Sequence, residues 1–491
     1  MHPKLATHII AALTMICRLG PGRLCFLFAL TLWLGGASFT RAQVVTTSLS
    51  RTFTNPSPAT VQGFGHAVAA LGTDRVVIGA AGVAYLAGTN GTLLMTFTNP
   101  VPSELSFGSS VSTVGTDQVL IGAPMDDTGA TDAGIAYLFA TNGMLLTVFT
   151  NPTPTSHEFF GSAVTAFNAD TVLIGCQGDG TFFYPGLGAA YLYSTDGSLI
   201  TTITNPNPYA FFDDFGRAVR AVGTDKVLIG SSGTAVNGIA SAGIAYLFST
   251  NGTVLSTFTN PAPAQGDRFG IAVTSLGTDR VLIGANDSGA AGGVYLFATN
   301  GALLQTFFSP DPAGNELFGS CIAVIGDMIV IGAPQDDPGG FMSQTGTAYL
   351  FNTNGTLLRT ILNPSPSPDE HFGTSLAIVG TNKVLIGADR KAMGGFRPGA
   401  AYLFSLKFLP PPALTIENLS GNSVRVSWPY PSTGFVLDHC GSLNSPPETN
   451  SWASIPPPYT VGSFFSNGVP YATWSVTTTI ITNGFFRLRQ P

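Results

Sequence analysis

Residues 47–56 read TSLSRTFTNP, and residues 91–100 read GTLLMTFTNP. The second stretch ends a repeating unit, whereas the first stands ahead of all the units. Working outward from the second, a Thr-Asn-Gly turn joins it to an apolar strand that carries Tyr85. Asn-Gly favours the positive φ values of a tight hairpin, so these two strands pair directly. Before them comes VVIGA, then the turn GTDR, then an alternating stretch that opens on Phe64-Gly65.

The same order recurs along the chain, with Phe-Gly at Phe64, Phe107, Phe160, Phe215, Phe269, Phe318 and Phe372. Tyr85, Tyr137, Tyr191, Tyr246, Tyr295, Tyr349 and Tyr402 keep register in the third strand. Each unit of about 43 to 55 residues is a four-stranded antiparallel meander, the size of one propeller blade. The last unit stops at GAAYLFSLKF without a fourth strand, and TSLSRTFTNP supplies the missing copy. The expected fold is therefore all-β, a seven-bladed β-propeller closed by its N-terminal strand, because closure removes the two edges an open array would leave.

Composition agrees. Charged residues make up 10% of the 491, while Gly numbers 59 and Pro 34, which favours short strands between turns over helices. At the N-terminus Lys4, Arg18 and Arg23 precede an apolar run from Leu24 to Leu34 and small residues up to Ala42. That order predicts a secretory signal over 1–42, too short in its apolar part for a comfortable membrane span. Its removal would take four of the 20 basic residues and none of the 27 acidic ones, leaving a net charge of −11. Such a balance argues against nucleic acid, which requires a basic footprint. Cys176, Cys321 and Cys440 would remain, odd in number and without metal-ligand spacing, so no disulfide framework is expected.

The motifs Phe-Gly, IGAP (Ile121–Pro124 and Ile331–Pro334) and GxAYLF resemble FG-GAP repeats, the propeller of integrin α-subunits and of many bacterial secreted proteins. The resemblance spans about residues 46–405 and implies a secreted or cell-surface protein that binds or adheres. Members of that family hold calcium in a DxDxDG loop between strands one and two. Here the equivalent turns carry one acid each (Asp74, Asp117, Asp170, Asp225, Asp279, Asp327), with Asn382 in the seventh. One carboxylate does not supply the six to eight oxygens calcium takes, so the expectation is no metal and no cofactor.

Strand alternation places the short hairpins on one face and the long loops and blade connections on the other, where binding residues concentrate. The propeller is assigned to residues 43–408, with a Pro-rich linker at 409–413 and a small β-sandwich at 414–491. The candidate contact residues on the loop face are Asp126, Asp127, Asp213, Asp214, Asp336 and Asp337, with the aromatics Phe182, Phe183, Tyr184, Tyr209, Phe211, Phe212, Phe341 and Phe396. An acidic face with aromatics suits an extracellular protein or a glycan, bound by a monomer with no membrane span after leader removal. A carbohydrate-active enzyme or lectin on the same face is the first alternative, since paired carboxylates can serve as acid and base. Asp126-Asp127 and Asp336-Asp337, however, occupy equivalent positions in two blades, which repeat ancestry and Asx turns explain better; no catalytic residue is assigned. An architectural surface protein without a specific ligand is the second alternative. His157 and His371 read as loop histidines. Arg217 and Arg220 lie three apart on the first strand of blade four, so in a regular strand at most one faces the axial channel. Beyond the linker, SVRVSWP, GFVLDH, SWASI, YATWSV and GFFRLR resemble a fibronectin type III or immunoglobulin-like module.

Overall fold

The computed structural model describes residues 44–58, 62–101, 106–178, 188–207, 213–286, 292–311, 316–337, 344–390 and 398–409, together with strands between 415 and 489. Among the described residues, seven four-stranded antiparallel sheets lie between residues 44 and 409. Blade one runs Val68–Leu71, Arg75–Ala80, Val83–Gly88 and Leu93–Thr98. Blade four, which carries Arg217 and Arg220, runs Phe215–Val222, Lys226–Ser231, Ile244–Ser249 and Val254–Thr259. In blade seven the outer strand is Val44–Thr54, which pairs antiparallel with Ala400–Leu409 from Val44↔Leu409 to Thr54↔Ala400. The displaced strand closes the ring as expected from its sequence.

Each first strand also touches the first strand of the next blade, in an unbroken circle from blade one round to blade seven and back. These seven strands form the wall of the axial channel. Between successive blades lie seven apolar layers, each built from facing sides of two sheets. One layer joins Phe97 and Leu86 of blade one to Phe107, Tyr137 and Phe139 of blade two. The layer that closes the ring joins Phe53 and Leu403 of blade seven to Phe64 and Tyr85 of blade one. Phe of each Phe-Gly is the anchor: Phe107, Phe160, Phe215, Phe269, Phe318 and Phe372 are fully buried. Phe107 meets Phe139 edge-on at 6.1 Å, and Phe215 meets Phe248 at 6.0 Å, the arrangement that ring quadrupoles favour.

The outer strands carry a feature the repeat count does not show. In each blade the register slips by one residue opposite the third strand, so one outer-strand residue lies outside the ladder. A bulge twists an edge strand away from pairing with another sheet, which blunts the seven exposed edges. It also turns two consecutive residues outward, and pairs such as Leu93–Leu94, Leu199–Ile200 and Leu303–Leu304 are exposed.

Beyond residue 409, seven described strands form two antiparallel sheets. Thr415–Leu419, Ser423–Pro429, Val469–Thr479 and Thr460–Ser466 make one, in that order. Ala453–Ile455, Val436–Cys440 and Phe485–Arg489 make the other.

Candidate functional site: the loop face

On the loop face each blade hands the chain to the next through an Asn-Pro or Ser-Pro pair, and this connection is a built polar joint. The side-chain oxygen of Asn55, Asn99, Asn151, Asn205, Asn260 and Asn363 accepts the N–H two residues on, closing an Asx turn, at 2.8 to 3.1 Å. Ser309 does the same through its hydroxyl. In four blades the asparagine amide then donates to a carboxylate two residues before the next Phe-Gly: Glu158, Asp213, Asp267 and Glu370. The Asn205–Asp213 and Asn260–Asp267 bonds are 2.7 Å long. Glu316 holds the same place in blade six and is buried like Asp213, Asp267 and Glu370.

These contacts correct the reading of the acids as a solvated binding face. Asp126, Asp213 and Asp336 are 1%, 1% and 0% exposed and cannot meet a partner. The physical reason is local. Asp126 caps its own loop by accepting the Thr128 N–H at 2.9 Å, while its other oxygen takes the Tyr137 hydroxyl at 3.5 Å. Asp336 takes the Tyr349 hydroxyl in the equivalent place. The neighbours do reach the surface: Asp127 is exposed, and Asp214 and Asp337 are half-buried. Asp127 and Asp337 each accept a backbone N–H of their own loop, from Asp132 and Thr345. Within each Asp-Asp pair one carboxyl faces inward and one outward, so the two do not converge on a common reacting atom. Phe182, Phe183, Tyr184, Tyr209, Phe211, Phe212, Phe341 and Phe396 lie outside the described residues.

Burial pushes the Asp213 carboxyl up from its ordinary value to about 6, against the opposing pull of hydrogen bonds from Asn205 and Thr234. A carboxyl whose pKa is raised on folding binds its proton more tightly in the folded chain. The stability tied to it is therefore full below the unfolded pKa near 3.8 and is lost as pH rises through about 6. Asp213→Asn, isosteric with the protonated acid, is expected to melt higher than the parent at pH 7 and to match it near pH 4. Thermal melts of both proteins across that range check this; a constant difference at every pH would remove Asp213 as the cause.

The described part of the loop face contains a cleft of about 320 Å³ where the ring closes. Gln62, Gly63 and His66 of blade one, Gly108 and Ser109 of blade two, and Asp389 and Arg390 of blade seven are in its lining. Asp389 sits between two imidazoles, with His66 Nδ1 at 3.1 Å from one oxygen and His371 Nδ1 at 3.7 Å from the other. His371 is buried, His66 is exposed, and Asp389 is nearly enclosed. His157, just ahead of blade three, pairs with Asp132 of the blade-two loop at 3.0 Å. The loop histidines are thus anchors for neighbouring loops, each held by a carboxylate.

The arginine pair departs from simple alternation. A register shift between Phe215 and Ala218 inserts a bulge at the start of the strand, so Arg217 and Arg220 are both exposed despite their odd spacing. Arg217 lies 4.0 Å from Asp214. The two cysteines with described side chains behave as expected: Cys176 and Cys321 are free thiols, buried and half-buried, and each donates to a backbone carbonyl.

The FG-GAP repeat family model matches residues 103–139 and 304–351. Those stretches cover most of blade two, and the outer strand of blade five with most of blade six. Similarity to that repeat thus supports the propeller part of the chain, and such repeats fit a protein-binding or adhesion-type domain. No curated protein matches the sequence. Among solved structures, the chain is similar to the WD40 β-propeller domain of Doa1 at 15% identity and a TM-score of 0.48, over 74% of this chain and 97% of that one.

Proposed function

We propose that the chain is a secreted or cell-surface binding protein of the adhesion type, contacting an extracellular protein or glycan through the loop face. The observation that carries this reading is the cleft at the ring closure, where Asp389 and Arg390 bring charges of opposite sign, with the His66 imidazole beside them, to a concave surface on a rigid scaffold. Mixed charges around a concavity favour specific polar recognition over nonspecific adhesion. Residues 1–42 serve in this reading as the leader that takes the chain out of the cell. The C-terminal strands serve as an immunoglobulin-like module; their four-stranded sheet joins the first, second, sixth and fifth strands, which parallels the A-B-E-D sheet of that fold.

The test is a glycan and secreted-protein array probed with residues 43–491, repeated with a His66→Ala/Arg390→Ala double variant. The expected result is a partner whose affinity falls by about tenfold or more in the variant, as loss of central charged contacts does. A partner bound equally by both proteins would remove the cleft from the contact surface. The architectural alternative rests on a different observation, the pairs of apolar residues exposed on the outer strands of successive blades. An array without partners, combined with concentration-dependent self-association in sedimentation velocity, would favour that alternative.

A further inference from the structure

The axial channel has a wall of unusual chemistry. From each Phe-Gly to the end of its first strand, none of the seven segments contains an Asp or a Glu, although acids outnumber bases in the chain 27 to 20. Five residues past each Phe-Gly phenylalanine, the positions are Ala69, Ser112, Thr165, Arg220, Thr274, Ala323 and Ala377. Six are small, and the seventh is a guanidinium with a threonine on each flanking blade.

Arg220 is exposed to solvent, yet the protein around it strips away enough water to lower its pKa. The two facts are compatible for a side chain in an enclosed, water-filled passage, and on an innermost strand that passage is the channel. Among the described residues no hydrogen bond or ion pair to Arg220 is present, and desolvation alone, with no carboxylate acting on it, lowers its pKa. Arg217, three residues nearer the loop face, has Asp214. A guanidinium stays charged at any ordinary pH, so it cannot escape partial desolvation by losing its proton. An unpaired charge in such surroundings is costly, and a mobile counter-ion is the compensation left open to it.

We propose that Arg220 is the centre of an anion site inside the axial channel that takes a small oxyanion. The planar guanidinium presents parallel N–H donors that match the two oxygens of a carboxylate or phosphate. Thr165 and Thr274 hold the same strand position on the flanking blades, both buried, with the Thr165 hydroxyl donating to the Ala166 carbonyl at 3.4 Å, so the guanidinium is the principal donor of the site. Arg220 lies on an innermost strand and outside the cleft that His66, Asp389 and Arg390 line, so this site is independent of the loop-face contact proposed above and would persist if that contact failed.

Calorimetric titration of residues 43–491 at low ionic strength, with inorganic phosphate and with acetate in separate runs, tests the proposal on the wild type, Arg220→Gln and Arg220→Lys. The wild type is expected to bind at least one of the two saturably, with affinity falling by about tenfold or more in Arg220→Gln and less in Arg220→Lys, which keeps the charge and loses the fork. A second readout guards against misfolding: without added oxyanion, Arg220→Gln is expected to melt at or above the wild-type temperature, because an uncompensated charge has been removed. Equal titration of Arg220→Gln and wild type would overturn the proposal. So would the absence of saturable binding to the wild type, or a drop in the melting temperature of Arg220→Gln in oxyanion-free buffer.

Discussion

Deletion of residues 44–54 is expected to abolish cooperative folding of the propeller, although it removes only a terminal strand. The strand supplies ten register pairs to blade seven and buries Phe53 in the layer between blades seven and one and Val45 in the layer between blades six and seven. Its loss would expose the whole length of Ala400–Leu409 and uncover the apolar side chains beneath, Tyr402, Phe404 and Leu406 among them. Burying one large apolar side chain contributes roughly 1.5–3 kcal/mol. Two buried side chains lost and several more partly uncovered reach about 5–10 kcal/mol, the whole stability of a typical domain. The measurement is soluble yield and a chemical-denaturation curve.

A rearranged chain separates closure from mere loss of mass. Val44 pairs with Leu409, so those two ends lie side by side. A chain of residues 55–409, an Asn-Gly turn, residues 44–54 and then residues 410–491 would return the strand to its place by a hairpin. This permutant is expected to recover a cooperative transition close to that of the parent. A deletion variant that unfolds cooperatively near the parent midpoint would show that the ring does not depend on its closing strand. A permutant that fails where the parent folds would show that the strand must enter from the N-terminal side.

Ring closure was legible in the sequence because it rests on copies. TSLSRTFTNP resembles the fourth strands elsewhere closely enough that its displacement is visible without any coordinates. The candidate site was less legible, because burial depends on what a side chain meets across the fold. Asp213 looked like a loop acid, yet it is bound to Asn205 eight residues earlier, and Asn260 holds Asp267 in the same way. A signal for this was present: an acid stands two residues before Phe-Gly in blades three to seven, at a nearly constant distance from Asn-Pro or Ser-Pro. Fixed spacing across repeats marks a structural joint, whereas a ligand-binding residue has no reason to recur in every blade. The arginine pair failed for another reason. Alternation along a strand holds between bulges, and the mark of this one is Gly216 beside Phe215, whose φ of +92° belongs to the repeated Phe-Gly motif and so does not read as a bulge.

The motifs by which the repeats are recognised are explained by one contact, and it supplies the second large effect. The glycine of each IGA-type second strand lies against the carbonyl of the Phe-Gly glycine in the next blade. A Cβ added at Gly230 would stand 1.9 Å from the Gly270 oxygen, and one added at Gly387 would stand 2.0 Å from the Gly65 oxygen across the ring closure. Neither partner can retreat. Gly270 donates its N–H to the Gly284 carbonyl at 2.9 Å and has φ +96°, and a Cβ on it would itself lie 2.5 Å from the Ile244 oxygen. Gly230→Ala must therefore push two sheets apart along a fully buried layer that includes Phe258, Phe269 and Ile283. Overpacking a well-filled interior costs typically 1–3 kcal/mol when side chains can adjust, and here the obstacle is backbone on both sides. A loss of about 3 kcal/mol or more is expected, read as a fall in the denaturation midpoint at unchanged slope. Gly252→Ala in the same blade is the comparison. It has φ +87° and no atom closer than 3.8 Å to the added methyl, so it should lose about 1 kcal/mol for the left-handed backbone alone. Equal losses in the two variants would mean that conformational freedom, and not the approach of one blade to the next, places glycine in the second strand.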